Sequence, residues 1–96
     1  MKLLLIFVDS DHARDVERLL DTHGVHGYST FPNVLGKGQT GRKLGTRAFP
    51  GSSSLYFVAL LDGDCRGLCD ELRTLRDEKG PEEGLKAYTL DTMEVL

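Results

Sequence analysis

The sequence has no tryptophan, only two cysteines and no apolar run long enough to cross a membrane. A membrane-spanning helix needs about 20 predominantly apolar residues, and the longest runs here, Leu3 to Val8 and Leu55 to Leu61, are far shorter. Two cysteines close together in sequence cannot build a disulfide framework, which agrees with a reducing compartment. We therefore expect a cytoplasmic protein without direct membrane insertion.

The chain also lacks an excess of positive charge and any motif of an activated nucleophile. Its net charge is −3, whereas nucleic-acid-binding domains usually carry a basic footprint that neutralises phosphates. No serine lies in a G-x-S-x-G turn, and no cysteine is accompanied by an arranged histidine and acid. We expect no nucleic-acid binding and no enzymatic activity.

The 96 residues suffice for one domain, 1–96, with a single two-layer core. Apolar runs and helical periodicities along the chain predict six elements. They are a buried strand at Leu3 to Val8, a helix ending at His23-Gly24, a weaker strand at Val25 to Leu35, a strong strand at Ser53 to Leu61, a helix ending near Lys79-Gly80-Pro81, and a last strand at Leu85 to Leu90 that could continue through Val95.

Polar residues and proline mark the ends and edges of these elements. Asp9, Ser10 and Asp11 are expected to cap the first helix, and Asp64 is expected to be the N-cap of the second. Gly24 suits the left-handed position after the first helix. Pro32 cannot donate a hydrogen bond to a sheet ladder, so it predicts that its strand lies at an edge or contains a bulge.

The order β-α-β, loop, β-α-β predicts an α+β fold, a ferredoxin-like βαββαβ sandwich with an antiparallel sheet. Right-handed crossovers place both helices on one face of that sheet. Either Tyr56, Val58 and Leu60 or their neighbours Leu55, Phe57, Ala59 and Leu61 must then point to the opposite, uncovered face. An uncovered apolar face predicts self-association.

One segment, 36–52, shows no apolar periodicity and exceeds the usual length of a structureless loop. It is rich in glycine, and between Gly36 and Arg47 it carries four cations and no acid. Glycines let the backbone approach a ligand closely, and basic side chains add charge, so an anion such as phosphate is the expected contact. A flexible solvated loop or a protein-docking loop is the alternative. Without a ligand or partner, we expect this loop to be mobile.

The residues around this loop resemble a known family. Val25-His26-Gly27-Tyr28, followed by Val34-Leu35-Gly36-Lys37-Gly38-Gln39, is similar to the nitrogen regulatory P-II signalling proteins, and the order of strands and helices matches that superfamily over nearly the whole chain. The resemblance implies a homotrimer of ferredoxin-like subunits with nucleotide sites between them. It also implies a long loop that docks on a protein target such as a membrane transporter or a metabolic enzyme.

On this resemblance, Gly36, Gly38 and Gln39 are the carried-over ligand contacts at the base of the loop. Its basic residues complete the expected site, which comprises Gly36, Lys37, Gly38, Gln39, Arg42, Lys43 and Arg47. The implied ligand is a small anion, with an adenine nucleotide as the candidate. CutA-type trimers, which share the fold and have been associated with divalent metals, are the alternative family.

Histidines and cysteines provide the remaining candidates. His23 and His26 have an H-x-x-H spacing, to which His12 could add, but two such ligands make a weak metal signal. The simpler interpretation is that His23 lies at a helix C-terminus and His26 on the surface. Cys65 and Cys69, four residues apart on one helix, are expected to pack as small apolar residues, with a redox or metal-linked switch as the alternative.

Overall fold

The computed structural model describes residues 1–25, 27–38, 41–43, 52–80 and 84–96. Within these residues there are six strands and two α-helices, and a short 3₁₀ helix at Ser10–His12 precedes the first α-helix. The strands are β1 (Lys2–Asp9), β2 (Ser29–Val34), β3 (Gly36–Gly38), β4 (Gly41–Lys43), β5 (Ser53–Leu60) and β6 (Lys86–Asp91), and the helices are α1 (Ala13–Thr22) and α2 (Asp62–Lys79).

Four of these strands form one antiparallel-paired sheet in the order β2-β5-β1-β6. The central pair, β1 and β5, runs in register from Lys2 opposite Leu60 to Asp9 opposite Ser53. The predicted α+β, ferredoxin-like fold is therefore confirmed. The separate pair β3 and β4 was not predicted, because a glycine-rich hairpin held by backbone hydrogen bonds leaves no apolar alternation in the sequence.

The core lies between the sheet and the two helices. Leu4, Ile6 and Val8 of β1 are almost fully buried, and they face Val16 and Leu20 of α1 across the core. The other members of the buried cluster are Tyr56 and Val58 of β5, Cys65, Leu68 and Leu72 of α2, and Leu85. The helix-facing set of β5 is thus the one that contains Tyr56 and Val58.

The opposite face of the sheet carries the alternate residues, and we call it the open face. Leu3, Leu5 and Phe7 of β1 lie opposite Ala59, Phe57 and Leu55 of β5, and Phe31, Tyr88 and Leu90 extend the same face on the outer strands. Phe31, Tyr88 and Leu90 are each more than half exposed. The prediction of an uncovered apolar face is confirmed.

Pro32 lies where the sequence indicated, on an edge strand with an irregularity. The register between β2 and β5 shifts between Phe31 and Val34, so the residue without an amide hydrogen falls in the bulge. Asn33 adopts a positive φ of 60° there, a conformation that asparagine tolerates better than most residues. This bulge turns the chain from the sheet into β3.

The predicted N-terminal helix caps were wrong. Ser10 belongs to the 3₁₀ helix, and no side-chain cap is present at the start of α1, which follows His12. Helix α2 begins at Asp62, preceded by Leu61, so Asp64 lies in the first turn rather than at the cap. An acid in the first turn is still favourable, because it faces the positive end of the helix dipole.

Two other expectations concern the ends of elements. Gly24 has a φ of 75° immediately beyond the helix terminus at His23, as predicted. The final strand ends at Asp91, opposite Lys2, and does not continue through Val95. One further backbone hydrogen bond, 3.2 Å from the Thr92 amide to the Met1 carbonyl, follows this pair.

Candidate functional site

Several chain segments reach the same end of the sheet, the end at which β1 and β2 finish. We call this end the loop edge. Because β5 is antiparallel to both β1 and β2, the last residues of these two strands reach the same end of the sheet. Asp9 and Val34 both lie opposite Ser53, the first residue of β5. The start of β6 joins them, since Lys86 lies opposite Phe7. The loop edge therefore collects the base of segment 36–52 and the turn before β6.

A polar cluster holds the base of the loop. The Ser10 amide donates a hydrogen bond of 3.0 Å to the Ser52 carbonyl, and the Ser10 hydroxyl lies 3.0 Å from the same carbonyl and 2.7 Å from the Ser52 hydroxyl. The Ser52 hydroxyl donates across 3.4 Å to the Asn33 side-chain oxygen. The start of α1, the bulge of β2 and the entry to β5 are thus connected directly.

The turn before β6 packs against the end of β1. Gly84 has a φ of 77°, and a Cβ built on it would lie 2.9 Å from the Asp9 carboxyl carbon and 3.2 Å from its Oδ2. The shorter distance is one that real Cβ atoms essentially never show, so the Asp9 carboxylate would have to shift. Glycine is favoured here for that reason and because the backbone conformation disfavours other residues.

Five of the seven predicted ligand-binding residues lie in the β3–β4 hairpin. The backbone register places Gly36 opposite Lys43, Lys37 opposite Arg42 and Gly38 opposite Gly41. Lys37 is exposed. Lys37 and Arg42 thus occupy cross-strand partner positions in the backbone register, where like charges are destabilising. Gln39 and Arg47, the other two predicted residues, lie outside the described part of the chain.

The loop-edge residues Asp9, Ser10, Asn33, Ser52 and Gly84 were not predicted as part of the site. A topological signal for them existed, because parallel strands of a predicted βαββαβ fold end at the same edge. Nothing in the sequence indicates the contact between Gly84 and Asp9, since it depends on the three-dimensional path of the backbone.

The two histidines that the structure describes, His12 and His23, have neighbours other than a metal site. The Nδ1 atom of His12 lies 4.0 Å from an Asp15 carboxylate oxygen, while the His23 ring lies against Gly67, 3.3 Å from the position of a built Cβ. His26 lies outside the described residues. No group of three or more histidine, cysteine or acidic side chains is placed to hold a metal within the described ranges.

An ion pair joins the two helices near the loop edge. The Lys79 ammonium lies 2.9 Å from an Asp15 carboxylate oxygen. The hydrogen bond from Lys79 lowers the pKa of Asp15 below its ordinary value, although partial burial opposes this shift. This pair connects α1 to the end of α2, immediately before the turn that contains Gly84.

The two cysteines occupy the inner side of α2. Cys65 is buried, Cys69 is partly buried, and their sulfur atoms lie 4.0 Å apart. Burial, reinforced by Cys69, raises the pKa of Cys65 to about 11. Cys65 therefore packs as a small apolar residue in the core, which agrees with the simpler sequence interpretation.

Comparisons with solved structures identify the fold. CPII from Thiomonas intermedia K12, a nitrogen regulatory PII-like protein bound to ADP, AMP and bicarbonate, superposes with a TM-score of 0.76 at 21% identity, covering 93% of this chain and 82% of CPII. Its apo form gives a TM-score of 0.67 at 19% identity, over 93% of this chain and 87% of that one.

A PII-like signalling protein from Thermus thermophilus matches with a TM-score of 0.63 at 18% identity, over 93% of this chain and 83% of that protein. No protein-family model matches the sequence, and a search of curated proteins found no match. The three structural neighbours nevertheless agree, and they cover nearly the whole chain. The protein has a divergent PII-like fold, as the sequence resemblance implied.

Proposed function

We propose that this protein is a non-enzymatic PII-like signalling protein in which residues 1–96 act as one domain. In this proposal it assembles as a homotrimer, binds a small anionic ligand at the loop edge and regulates a protein partner through segment 36–52. The partner would be a transporter or a metabolic enzyme. The observation that carries the proposal is the loop edge, the end of the sheet from which the basic glycine-rich hairpin extends beyond β2.

The chemistry of the hairpin supports an anionic ligand. Gly36, Gly38 and Gly41 leave the backbone open to close approach, while Lys37 and Arg42 bring two cations to one cross-strand pair. An anion between or beside these cations would relieve their repulsion. Adenine nucleotides are the first ligands to test because CPII, on the same fold, is bound to ADP and AMP. Bicarbonate is the second, for the same reason.

The open face supports self-association. Edge-to-face ring contacts organise it, with centroids 6.1 Å apart for Phe7 and Tyr88 and 5.4 Å apart for Phe31 and Phe57. Contiguous apolar surface of this kind is uncommon on a monomer and is typical of an interface. A homotrimer that buries the open face is the assembly that accords with the resemblance.

Ligand binding is tested by titrating the protein calorimetrically with ADP, AMP and ATP, each with and without magnesium, and with bicarbonate. We expect binding to at least one of them, weakened about tenfold or more by Lys37→Ala because a charge-assisted contact is lost. Arg66→Ala is the matched control, since this exposed arginine lies near the start of α2, at the opposite edge of the sheet. Heats absent with every ligand, or equal losses in both variants, would contradict the proposed site.

Assembly is tested separately by light scattering during size-exclusion chromatography. We expect the mass of three chains for the wild type and a smaller species for Phe57→Lys, which places a charge at the centre of the open face. Thr74→Lys adds the same charge on the exposed side of α2 and should leave the mass unchanged. A wild-type monomer would reject the trimer without deciding whether ligand binds.

Other parts of the proposal remain predictions. Within the described residues, no helix is long and apolar enough to cross a membrane, and the cytoplasmic address is an expectation from the sequence. A non-enzymatic role is supported by the two structural neighbours, since CPII is a regulatory protein and the Thermus protein is a signalling protein. The described residues offer nothing that favours the CutA-like divalent-metal alternative.

A further inference from the structure

The cysteine pair in α2 has a geometry that its packing role does not require. The Cys65 and Cys69 sulfur atoms lie 4.0 Å apart on the inner side of the helix. Residues four apart in a helix have Cβ atoms roughly 5 to 6 Å apart, whereas a disulfide needs about 3.5 to 4.5 Å. A disulfide would therefore distort α2, so the pair is poorly arranged for one.

The same separation suits a single bridging ion. Metal–thiolate bonds of about 2.3 Å, the length seen with zinc, would let one ion contact both sulfur atoms with an angle of about 120° between the bonds. No backbone movement is needed, because both side chains already face each other. Soft monovalent ions prefer thiolate ligands. When only two thiolates bind, these ions favour a nearly linear arrangement, so side-chain rotations would have to widen the 4.0 Å separation of the sulfur atoms. Zinc prefers four ligands, and no set of three or more metal-binding side chains lies together in the described ranges.

The pair is reachable from the surface. Cys69 is partly buried and lines a cavity of about 250 Å³ between α2 and β6. Leu4, Leu72 and Leu85 form apolar parts of the cavity wall, while Arg73 and Arg76 line it from α2. An ion entering this cavity would reach Cys69 first, with Cys65 one turn of the helix away.

The surroundings of the pair act in both directions. A monovalent ion that displaces the protons of two thiols gives a bis-thiolate complex of net charge −1 and releases two protons. Burial and Cys69 raise the pKa of Cys65, which opposes this step, while Lys2 acts in the opposite direction. Arg73, Arg76 and Lys86 bring positive charge to the cavity wall, although Arg73 pairs with Asp70 and Arg76 with Asp77. The local field therefore offsets part of the cost of a buried negative complex.

We propose that Cys65 and Cys69 form a binding site for one soft monovalent metal ion of the copper(I) or silver(I) class, entered through the cavity between α2 and β6. The two ligands lie on α2, away from the β3–β4 hairpin, although the cavity that leads to them reaches the loop edge at Leu85 and Lys86. It adds a metal-responsive element to the helical side of the fold.

The test is anaerobic competition for copper(I) against a chromophoric copper(I) chelator. The wild-type protein should withdraw one equivalent per chain. Because the loss of even an outer partner of a metal ligand commonly weakens binding about 10- to 100-fold, Cys65→Ala and Cys69→Ala should each weaken binding at least about 100-fold. His23→Ala is the control, since its side chain lies in a separate crevice between α1 and α2, and it should bind like the wild type.

Circular dichroism of each variant separates lost folding from lost ligands. The wild type alone provides a second readout, because X-ray absorption of the copper(I)-loaded protein should show a shell of sulfur ligands, and bound ion should protect both cysteines from alkylation. Binding retained within threefold by either folded single-cysteine variant, no withdrawal by the wild type, or a nitrogen-dominated shell would each overturn the proposal.

Discussion

Replacing Gly84 by alanine should destabilise the protein strongly, because this turn closes the loop edge against β1. Gly84 has a φ of 77°, and a left-handed conformation costs a residue with a Cβ about 1–2 kcal/mol. The new methyl group would also lie 2.9 Å from the Asp9 carboxyl carbon, and such overpacking typically costs about 1–3 kcal/mol. Alanine also reduces the conformational entropy of the unfolded chain, which offsets about 0.4–1 kcal/mol of this destabilisation.

Together these effects lower the free energy of unfolding by about 1–4.6 kcal/mol. Urea denaturation at a fixed protein concentration measures the loss, since an assembled protein gains stability with concentration. The double variant Asp9→Ala/Gly84→Ala removes the steric overlap but retains the backbone strain, so it should recover part of the loss relative to Gly84→Ala.

Gly27→Ala is the matched control for this experiment. A Cβ at Gly27 would meet nothing within 4 Å, and the residue is not among those with a positive φ. Its effect should be neutral or slightly stabilising. If Gly84→Ala also stayed within about 0.5 kcal/mol of the wild type, the size of an ordinary surface substitution, the close approach of the Gly84 turn to Asp9 would be refuted.

Three further predictions concern the bulge and two titrating groups. Asn33→Ala should lower the free energy of unfolding by about 1 kcal/mol, because alanine disfavours the positive φ of this position and cannot contact Ser52. Asn33→Gly, which tolerates the positive φ, should lower it less in the same denaturation assay. Equal losses would contradict the backbone argument. Burial raises the pKa of Tyr56 to about 12, so the stabilising contribution of the neutral side chain is fully present below pH 10 and is lost as the pH rises towards 12. The free energy of unfolding of Tyr56→Phe should depend less on pH in this range. Because Lys79 lowers the pKa of Asp15, this pair stabilises the protein above the unfolded pKa near 3.8, and the stabilisation is lost as the pH falls through the lower folded value. Lys79→Gln should therefore make the free energy of unfolding depend less steeply on pH in this acidic range. An unchanged dependence would show that the pair contributes nothing.

Much of the fold followed from the sequence because burial leaves a regular pattern. The continuous apolar run from Leu3 to Val8 predicted β1, and Pro32 marked the edge strand. The run itself indicated a strand buried on both faces, whereas only Leu4, Ile6 and Val8 are buried. The caps were wrong for a physical reason: the Ser10 hydroxyl lies at hydrogen-bond distance from Ser52, a partner far away in the sequence, so local capping preference did not decide its role.

The candidate site was predicted less completely. Lys37 and Arg42 were recognised from the charge of the loop, but their pairing across a hairpin depends on a backbone ladder that the glycine-rich sequence does not reveal. Asp9 and Gly84 touch through the three-dimensional path of two turns. Contacts of this kind need coordinates, because neither residue type nor spacing specifies them.

The central claim is that a small anion binds at the loop edge, beside the β3–β4 hairpin. Hydrogen–deuterium exchange, read by mass spectrometry with and without saturating ADP, tests it most directly because it locates binding along the chain. The account predicts rapid exchange in 36–52 without ligand and slower exchange in both 36–52 and 80–86 with ADP, with little change in the first half of α2. Binding of ADP that protects other segments and leaves these two unchanged would contradict it.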